Sequence, residues 1–422
     1  MEYKIVSKLF DIPGVNKLEV YVENGGYGSL KKLFSMKPEE VIEEVKSSGL
    51  RGRGGAGFSA GLKWSFIPKN VFPRYLCINA DEGEPGTFKD RLIIGRVPHQ
   101  LIEGAIITSY AIRANIAYIY IRPEFHSEIN VIDEAIKEAY RKNYLGKNII
   151  GTDFSLDVII HIGGGPYIAG EETGLIESIE GKKAYPRNKP PYFPAVIGLY
   201  NKPTIVNNVE TIATLPAILN HGAQWYRSIG TEKSPGTRLF SISGAVKKPG
   251  VYEAPLNITL KNLIFDYAGG FLDNRKILAI IPGGLSSPPL SLQEAENTTM
   301  TFEDLAAKNS MAGSGAVIVI DDSICILKVI HRLALFYARE SCGQCTPCRE
   351  GTKLIADGIE KIEKGITDEQ IVKFLHEIAE AMVGKTICVL ADAQALPVIK
   401  FLKMFKNDIE QHIKLKKCPY ES

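Results

Sequence analysis

The sequence predicts a chain of three parts: an α/β domain, a small α+β unit and a C-terminal helical bundle. In the first part, apolar runs end in glycine-rich or acidic loops that lead into helical patterns. After "TEKSPGT" the pattern changes to short strands around a Pro-Gly turn, and from about residue 322 apolar residues recur at helical spacing. These changes predict domains at residues 1–236, 237–321 and 322–422.

Several elements of the first two parts are predicted individually. Residues 38–46, "PEEVIEEVK", predict a short helix, and "YLCINADEGEP" predicts a strand that runs into an acidic loop. The run "LDVIIHI" has the pattern of a buried strand, and "GGGPYIAGEETGLIESI" after it predicts a glycine turn and a helix. In the second part, "TRLFSISGAVKKPGVYEAP" predicts two strands, "TLKNLIFDYAGG" a helix that ends on glycines, and "KILAII" and "GAVIVI" two more strands.

The third part predicts a four-helix bundle. One helix precedes Cys342, and three apolar stripes at helical spacing predict the other three helices. The stripes consist of Ile355, Ile359 and Ile362, then Ile371, Phe374, Leu375, Ile378 and Met382, then Val398, Leu402, Phe405 and Ile409.

The composition is that of an ordinary soluble globular chain, with 422 residues, 45% of them hydrophobic and 23% charged. A net charge of +2 argues against non-specific nucleic-acid binding, which needs a concentrated basic face. No stretch approaches the roughly 18 uninterrupted apolar residues of a membrane span, and the N-terminal segment lacks the apolar core of a signal peptide. We therefore expect a cytoplasmic chain with no nucleic-acid partner and no direct membrane insertion.

The stretch "ESCGQCTPCREG" places Cys342, Cys345 and Cys348 at a step of three. In a reducing compartment this spacing indicates metal binding rather than a disulfide framework. Three thiolates from one turn of chain suit three corners of a cubane iron–sulfur cluster, whereas structural zinc sites more often use separated pairs. Zinc is the alternative metal, and the polar residues between the cysteines argue against a packed core.

The fourth ligand must come from elsewhere, because Thr352 stands four residues after the third cysteine. Cys325 lies in an apolar run and predicts a packed helix residue, Cys418 lies in a lysine-rich tail and predicts an exposed residue, and Cys77 belongs to the α/β domain. Cys388 lies in a glycine-started loop between two predicted helices, and this loop can return beside the three-cysteine turn. The sequence thus predicts a [4Fe–4S] cluster held by Cys342, Cys345, Cys348 and Cys388.

The glycine loop "GRGGAG", residues 52–57, matches the pattern GxGxxG. Alone the pattern is weak, because a dinucleotide fingerprint follows a strand and this loop follows a predicted helix; a tight turn is the alternative. Arg51, Arg53 and Lys63 add positive charge beside the backbone N–H groups of the loop. The combination predicts a phosphate-binding loop.

Two acidic groups lie near predicted strand ends or helix starts. They are Asp81, Glu82 and Glu84, and Glu171 with Glu172. Because α/β sheets bind ligands at the carboxyl ends of their strands, these groups predict a site for a hydroxyl-rich ligand, such as a ribityl or ribose group. Helix capping is the alternative for the second group. The absence of GxSxG and the scattered spacing of the seven histidines give no support to nucleophilic catalysis or a histidine metal site.

Six motifs together resemble one family. They are "GLRGRGGAGF", "GLKW", "NADEGEPGTFKDR", "YIAGEET", "NKPTIVNNVET" and "ESCGQCTPCREG". The set extends over nearly the whole chain and resembles the NADH-binding flavoprotein subunit of respiratory complex I, the 51-kDa or F-type subunit. The resemblance implies a Rossmann-like domain that binds FMN and NADH, then a small ubiquitin-like β-grasp (SLBB-type) domain, then a four-helix bundle with one [4Fe–4S] cluster.

The resemblance also implies the residues of each site, carried over motif by motif. FMN contacts are expected at Gly52, Gly54, Gly55, Lys63, Asn79, Asp81, Tyr167, Gly170, Glu171, Asn207, Asn208 and Thr211. NADH contacts are expected at Phe58, Phe66, Glu84, Glu172, Lys189 and Phe193. No side chain is expected to act as a catalytic acid or base, because hydride passes directly to FMN.

Two positions depart from the family's pattern. Ala169 stands where the family often has cysteine, and the backbone contacts of that turn do not depend on the side chain. The family's "KPPFP" is "KPPYFP" here, so either Tyr192 or Phe193 is expected to take the aromatic contact with the nucleotide.

The resemblance implies NADH oxidation by FMN, with electrons passed singly to iron–sulfur clusters and finally to a quinone. The implied partners are a thioredoxin-like [2Fe–2S] subunit, which would form a heterodimer with this chain, and a larger iron–sulfur subunit of the peripheral arm. Through them the chain would be peripheral to the inner (plasma) membrane. A diaphorase subunit of an NAD-linked hydrogenase or formate dehydrogenase is the alternative enzyme, and a non-catalytic iron–sulfur scaffold is the alternative from another class.

Overall fold

The computed structural model describes residues 3–420, which divide into two compact units. Unit 1 contains residues 3–83, 87–240 and 251–258, and unit 2 contains residues 84–86, 241–250 and 259–420. The chain is a mixed α/β protein with a parallel sheet, which confirms the predicted fold class at this level.

The sheet of unit 1 has four parallel strands. They are β1 (Tyr75–Ala80), β2 (Ile116–Ile121), β3 (Asp157–Ile162) and β4 (Thr204–Asn208). Their order is β3-β2-β1-β4, so successive strands are added on one side of β1 and then on the other. In the register of the sheet, Asn79 of β1 lies opposite Asn208 of β4. A strand order that reverses in this way opens a ligand crevice at the carboxyl ends of the two strands.

Helices pack around this sheet. They are α1 (Leu18–Glu23), α2 (Ser29–Leu33), α3 (Pro38–Ser48), α4 (Ala60–Ser65), α5 (Asp90–Arg96), α6 (Pro98–Ile112), α7 (His126–Arg141), α8 (Glu172–Ile179), α9 (Val209–His221) and α10 (Ala223–Arg227). Short 3-10 turns occur at Ser7–Leu9, Ile149–Gly151, Tyr167–Gly170 and Leu199–Asn201. Helix α6 is buried on almost every face, which makes it the centre of the core. The predicted helix at residues 38–46 is confirmed as α3.

Strand β3 corrects the prediction of a buried strand from "LDVIIHI". It is the edge strand of the sheet, paired only with β2, and Ile159 and Ile162 are 41% and 53% exposed. The prediction failed because an unbroken apolar run shows that a segment favours β structure but does not show whether a neighbour covers both of its faces. The glycine turn and helix predicted after it are confirmed by Tyr167–Gly170 and α8.

A second four-stranded sheet follows. Its strands are β5 (Thr237–Gly244), β6 (Gly250–Pro255), β7 (Ile277–Ile281) and β8 (Ala316–Asp321), in the order β6-β5-β8-β7. The accompanying helices are α11 (Leu260–Asn262), which continues as a π-helical turn over Leu263–Tyr267, α12 (Leu292–Glu296) and α13 (Phe302–Ala307). All four strands and the first helix occur where the sequence predicts them.

The C-terminal part of unit 2 is helical, with five helices where the sequence predicts four. They are α14 (Ile326–Glu340), α15 (Thr346–Glu363), α16 (Gln370–Met382), α17 (Leu390–Met404) and α18 (Lys406–Leu415). The last predicted stripe divides at Phe405, whose φ of −112° and ψ of 32° are not helical. Within residues 3–420, no helix has the length and apolarity needed to cross a membrane.

Candidate functional site

The carboxyl end of β1 is tied to the turn Tyr167–Gly170. Asn79 Nδ2 donates to Gly170 O at 2.8 Å, and Asn79 Oδ1 accepts from Asp81 N–H at 3.0 Å. A Cβ on Gly170 would lie 3.3 Å from Asp81 O, so the turn approaches the strand end closely. The buried Asp81 carboxylate lies 3.9 Å from Arg122 Nε. Four residues expected at FMN therefore lie together here.

The carboxyl end of β4 lies beside β1 in the sheet and carries two amides. Asn207 Oδ1 accepts from Trp64 Nε1 at 2.9 Å, which ties helix α4 to the strand. Asn208 Oδ1 accepts from Glu210 N–H at 3.0 Å and so caps α9. These side chains bring α4 and the start of α9 to the β1/β4 crevice.

The glycine loop is anchored to the same place. Gly52 N–H donates to Phe58 O at 2.8 Å, which closes the loop, and Arg53 N–H donates to Thr211 Oγ1 at 2.9 Å, which holds the loop against α9. The loop follows α3 and not a strand, as predicted. The loop therefore differs from a dinucleotide-binding fingerprint, in which a strand, a glycine turn and a helix follow one another.

Two glycines of the loop have a structural requirement. A Cβ on Gly54 would lie 3.0 Å from Asn208 Cβ, so a side chain at this position would crowd the end of β4. Gly55 has a φ of +145°, and a Cβ there would meet nothing within 4 Å. Such a backbone leaves room for a ligand to approach the main chain.

The Arg53 side chain does not supply the positive charge that the sequence predicts beside the N–H groups of the loop. This side chain is fully buried, and its guanidinium donates to Tyr226 Oη at 2.8 Å and to Thr237 O at 2.9 Å. Arg51 Nε donates to Gly57 O at 2.7 Å and braces the loop. These arginines hold the shape of the loop, a role that sequence spacing does not distinguish from phosphate binding.

Lys63 belongs to a row of four side chains of alternating charge, which are Lys63, Glu172, Lys189 and Glu171. Its Nζ lies 2.7 Å from Glu172 Oε2 and donates to Val206 O at 3.0 Å. Lys189 Nζ lies 3.0 Å from Glu171 Oε1 and 3.1 Å from Glu172 Oε1. Burial alone would raise the pKa of Glu172, but the two lysines outweigh it and hold that pKa below its usual value. Glu172 is therefore an anion between two cations.

Glu171 is the N-cap residue of α8. Its Oε2 accepts from Thr173 N–H and from Gly174 N–H, each at 2.9 Å. The helix-capping alternative is thus correct for this residue. Its other carboxylate oxygen pairs with Lys189, so capping does not exclude a place in a binding site.

Large aromatic side chains near the loop are exposed. Phe58 and Phe66 are 49% and 52% exposed, and their ring centroids lie 6.1 Å apart. Tyr192 and Phe193 are also exposed, so the structure leaves both available for the aromatic contact expected in "KPPYFP". Exposed rings of this size are typical of surfaces that stack against a ligand or partner.

Glu84 differs from the other expected NADH contacts because it belongs to unit 2. Its Oε1 accepts from Ser286 N–H at 2.7 Å. A Cβ on Gly284 would lie 2.8 Å from this oxygen, so the carboxylate packs tightly against that backbone. The place of Glu84 in a nucleotide site stays a prediction.

Sequence reasoning missed a buried ion group beside the crevice. Lys89 Nζ lies 2.8 Å from Asp90 Oδ1 and 2.8 Å from Glu210 Oε2, and these side chains are 1%, 4% and 2% exposed. Burial alone would lower the pKa of Lys89, but the carboxylates raise it above its usual value. The motif "NADEGEPGTFKDR" contains the first two residues, whereas no local pattern pairs them with the third.

The three-cysteine turn connects α14 to α15. Cys345 precedes the first residue of α15, and Cys348 lies in its first turn. Gly343 has a φ of +79°, and its carbonyl accepts from Arg349 Nη1 at 2.7 Å, which folds the segment from Cys342 back on the helix. One turn of chain therefore presents all three thiols, as predicted.

The loop that carries Cys388 returns to this turn. It leaves α16 through Gly384, whose φ is +68°. Ile387 N–H then donates to Cys345 Sγ at 3.4 Å, which places the residue before Cys388 at the three-cysteine turn. N–H donors to cysteine sulfur are also a means by which proteins tune iron–sulfur clusters.

The electrostatics of the three-cysteine turn favour a bound metal cluster. Burial raises the pKa of Cys348, Ser341 Oγ at 3.2 Å lowers it, and the neighbouring thiols of Cys342 and Cys345 raise it again. A positively charged metal centre bound by these cysteines would offset this repulsion. Thr352, in the position of a ferredoxin's next cysteine, is buried and donates to Cys348 O at 2.7 Å, so it is a helix residue and not a ligand.

The two other cysteines of unit 2 depart from their predictions. Cys418 is buried and not exposed, although lysines precede it in the sequence. Cys325 is buried as predicted, but it lies just before α14 rather than within a helix, and its Sγ is 3.3 Å from His412 Nε2.

Models of known protein families match three successive parts of the chain. The family model of the Nuo51 FMN-binding domain matches residues 45–217, that of the SLBB domain residues 238–319, and that of the NADH-ubiquinone oxidoreductase-F iron-sulfur binding region residues 328–412. A chain of the H2-reduced NAD+-reducing [NiFe]-hydrogenase superposes with a TM-score of 0.84 at 34% identity, over 99% of this chain and 67% of that one.

Curated relatives match over nearly the full length, and each is an F-type subunit of NADH-quinone oxidoreductase. The one numbered 2 in Rhizobium meliloti is 48% identical over 97% of both chains. That of Rickettsia bellii is 50% identical over 92% of this chain and 94% of its own, and that of Streptomyces coelicolor is 46% identical over 99% and 92%. The chain therefore belongs to the family of F-type subunits of NADH-quinone oxidoreductase, and it contains that family's FMN-binding domain and 4Fe–4S region.

Proposed function

We propose that this chain oxidises NADH by hydride transfer to bound FMN and passes the electrons singly to its [4Fe–4S] cluster, as the electron-input subunit of an NADH:quinone oxidoreductase. The main support is that three features lie together at the carboxyl ends of β1 and β4. They are the glycine loop, the asparagine side chains of the two strands, and the paired charges of Lys63 and Glu172. Bound FMN supplies the conversion between two-electron and one-electron transfer.

Unit 1 fits a flavin nucleotide. The open main chain at Gly55 and the close approach at Gly54 form a cradle that a side chain at either position would fill or displace. Amides at the strand ends and Lys63 provide donors for the polar groups of the cofactor. We assign FMN to the residues expected from the motifs: Gly52, Gly54, Gly55, Lys63, Asn79, Asp81, Tyr167, Gly170, Glu171, Asn207, Asn208 and Thr211.

NADH is assigned to the exposed aromatic and charged residues of the same region. The rings of Phe58 and Phe66 offer apolar faces to the bases of the nucleotide. Glu172, held by two lysines, accepts a hydrogen bond from a ribose hydroxyl. Lys189 and Phe193 complete the assignment in unit 1, whereas Glu84, a residue of unit 2, is a predicted NADH contact on the motif alone. No side chain needs to exchange a proton during hydride transfer.

The cluster is assigned to Cys342, Cys345, Cys348 and Cys388. Support comes from the hydrogen bond between Ile387 N–H and Cys345 Sγ, which joins the two loops. For the whole chain we propose an FMN- and NADH-binding domain at residues 1–236, an SLBB-type β-grasp domain at 237–321 and a cluster-binding bundle at 322–422. The matched family regions fall within these bounds in this order.

The partners and location are also proposals. Because the relatives are subunits of a larger enzyme, we propose a heterodimer with a thioredoxin-like [2Fe–2S] subunit and attachment to a larger iron–sulfur subunit, peripheral to the inner membrane. The hydrogenase superposition favours a second candidate, the diaphorase subunit of an NAD-linked hydrogenase. The subunits that co-purify with the chain from its native cells, and the acceptor or donor they use, distinguish the two.

Anaerobic NADH titration of the purified chain tests the proposed function. We expect NADH to bleach the flavin absorption and to produce the paramagnetic signal of the reduced cluster. The variant Gly54→Val should retain the brown cluster but lack flavin, because the valine crowds Asn208 and blocks the loop. The matched control Gly95→Val should keep FMN, since the Cβ of residue 95 meets only Glu128 Cγ at 4.0 Å. Normal FMN in Gly54→Val contradicts the assignment, and a flavin that NADH does not reduce contradicts the function.

Glu172→Gln should relax the preference for NADH over NADPH. The extra phosphate of NADPH carries nearly two negative charges, and each like-charge pair at about 4 Å costs about 1–4 kcal/mol, depending on the dielectric. With the carboxylate removed, Lys63 and Lys189 face this phosphate without a competing anion. We expect kcat/KM for NADPH to rise by about tenfold or more and that for NADH to fall only modestly.

The control for this measurement is Glu177→Gln, which removes another ion-paired carboxylate from the same helix. Glu177 pairs with Arg187 and Lys182. Its substitution should leave the ratio of the two kcat/KM values unchanged. If Glu172→Gln leaves the NADPH value unchanged as well, the 2′ position is not beside Glu172.

A further inference from the structure

Three metal-binding side chains converge at the C-terminal end of unit 2, away from the cluster cysteines in the sequence. Cys325, His412 and Cys418 each offer a ligand atom, and these atoms all lie within 4.8 Å of one another. All three residues are buried. Within residues 3–420, this is the one group of three cysteine, histidine or acidic side chains whose ligand atoms lie this close together.

The histidine is held in the form that binds metals. His412 Nδ1 lies 2.7 Å from Asp408 O, and a carbonyl oxygen only accepts, so Nδ1 carries the proton. In the neutral imidazole the lone pair is then on Nε2, which faces Cys325 Sγ at 3.3 Å. Metal-binding histidines commonly donate their second nitrogen to a carbonyl or carboxylate in this way, which fixes both the tautomer and the ring.

We propose that Cys325, His412 and Cys418 form a second metal site in this chain, with Zn²⁺ as the ion and a solvent molecule as its fourth ligand. Tetrahedral bonds of about 2.3 Å to sulfur and 2.0 Å to nitrogen place neighbouring ligand atoms about 3.5–3.8 Å apart. The distance from Cys325 Sγ to His412 Nε2 is 3.3 Å, and the other pairs of ligand atoms lie within 4.8 Å, so a single ion requires side-chain movements on the order of 1 Å. Binding replaces the two thiol protons, which pass to solvent, and a soft thiolate pair with imidazole selects zinc over magnesium or calcium.

The role of the site is structural. Cys325 precedes the first residue of α14, His412 lies in α18, and Cys418 lies in the segment after it, so one ion would join three places of the chain. The residues just before Cys418 already pack closely against Gly365, because a Cβ on Gly365 would lie 2.2 Å from the carbonyl carbon of Lys416. Helix α14 leads directly to the three-cysteine turn, so the ion would fasten the tail to the helix that presents the cluster.

The test is metal analysis of the holoprotein, purified anaerobically without a polyhistidine tag or chelator from cells grown with zinc. We expect about one zinc per chain besides the iron of the cluster. Zinc K-edge absorption should show two sulfur neighbours at about 2.3 Å and two nitrogen or oxygen neighbours at about 2.0 Å, those of His412 and solvent. This edge is separate from iron and flavin signals, and the measurement on the unaltered chain does not depend on any variant folding.

Variants then assign the site. Cys418→Ala should lower the zinc content at least about fivefold at unchanged iron, because a two-ligand site binds weakly. The control Cys77→Ala removes a buried cysteine of β1 in unit 1 and should keep its zinc. Zinc that is absent from the unaltered chain, that persists in Cys418→Ala or that lacks sulfur neighbours overturns the proposal. A peptide-mapped Cys325–Cys418 disulfide in the anaerobic protein also overturns it.

Discussion

Cys388→Ala is expected to remove the intact [4Fe–4S] cluster from the purified chain. A cubane needs four ligands, and without the fourth thiolate the iron at that corner is lost or the cluster degrades to a three-iron form. The loop itself should persist, because Ile387 donates its backbone N–H to Cys345 and Gly384 keeps its turn. Iron per chain and the paramagnetic signal of the dithionite-reduced protein measure the loss directly.

Cys77→Ala is the matched control for this experiment, since it also removes one cysteine thiol, here one buried in unit 1. It should keep full iron and an unchanged signal. An intact four-iron signal in Cys388→Ala, with the control unchanged, would show that the fourth ligand lies elsewhere. Cys325 and Cys418 would then be the next candidates, and the zinc analysis would already report their state.

Lys89→Met is expected to be among the most destabilising substitutions in unit 1. It removes the cation from Asp90 and Glu210 and leaves two buried carboxylates without their main partner. Breaking a buried pair in this way costs about 3–5 kcal/mol, a large part of the total stability of a domain. For a unit of this size, we expect a fall of about 6–20 °C in the melting temperature, followed by circular dichroism.

Two variants separate this effect from a general loss of charge. Lys137 also contacts two carboxylates, those of Asp133 and Glu134, but all three are about half exposed. Lys137→Met should therefore leave the melting temperature unchanged. Lys89→Met combined with Glu210→Gln should recover part of the loss, since one buried charge is gone. Equal melting temperatures for Lys89→Met and Lys137→Met would refute the electrostatic explanation.

Local patterns predicted much of this protein correctly. The sheet strand "YLCIN", the helix after residue 37 and the strands around the Pro-Gly turn depend on neighbouring residues, so their periodicity was enough. The turn between two helices at Cys342, Cys345 and Cys348 is likewise a local feature, since the three cysteines lie within one stretch of chain. The glycine loop was correctly distinguished from a dinucleotide fingerprint because a helix precedes it.

The errors concern contacts between distant parts of the chain. Cys418 was predicted to be exposed because its neighbours are lysines, but packing of the tail near Cys325 and His412 buries it. The position of Arg53 beside glycines predicts positive charge at the loop, whereas its guanidinium donates to Tyr226 and Thr237. One feature of the sequence indicates that the tail could be buried around a metal site: His412 lies shortly before Cys418.

The buried amide of Gln394 has a consequence for electron transfer. From α17 its Nε2 donates to Ala334 O on α14 at 2.7 Å and to Thr352 O on α15 at 3.0 Å. One side chain thus ties together three helices that begin or end at the cysteine loops. A cluster held by these loops would change its charge within a frame that is fastened on all three helices. Such a frame would keep the reorganisation energy of electron transfer small, which favours fast exchange in both directions.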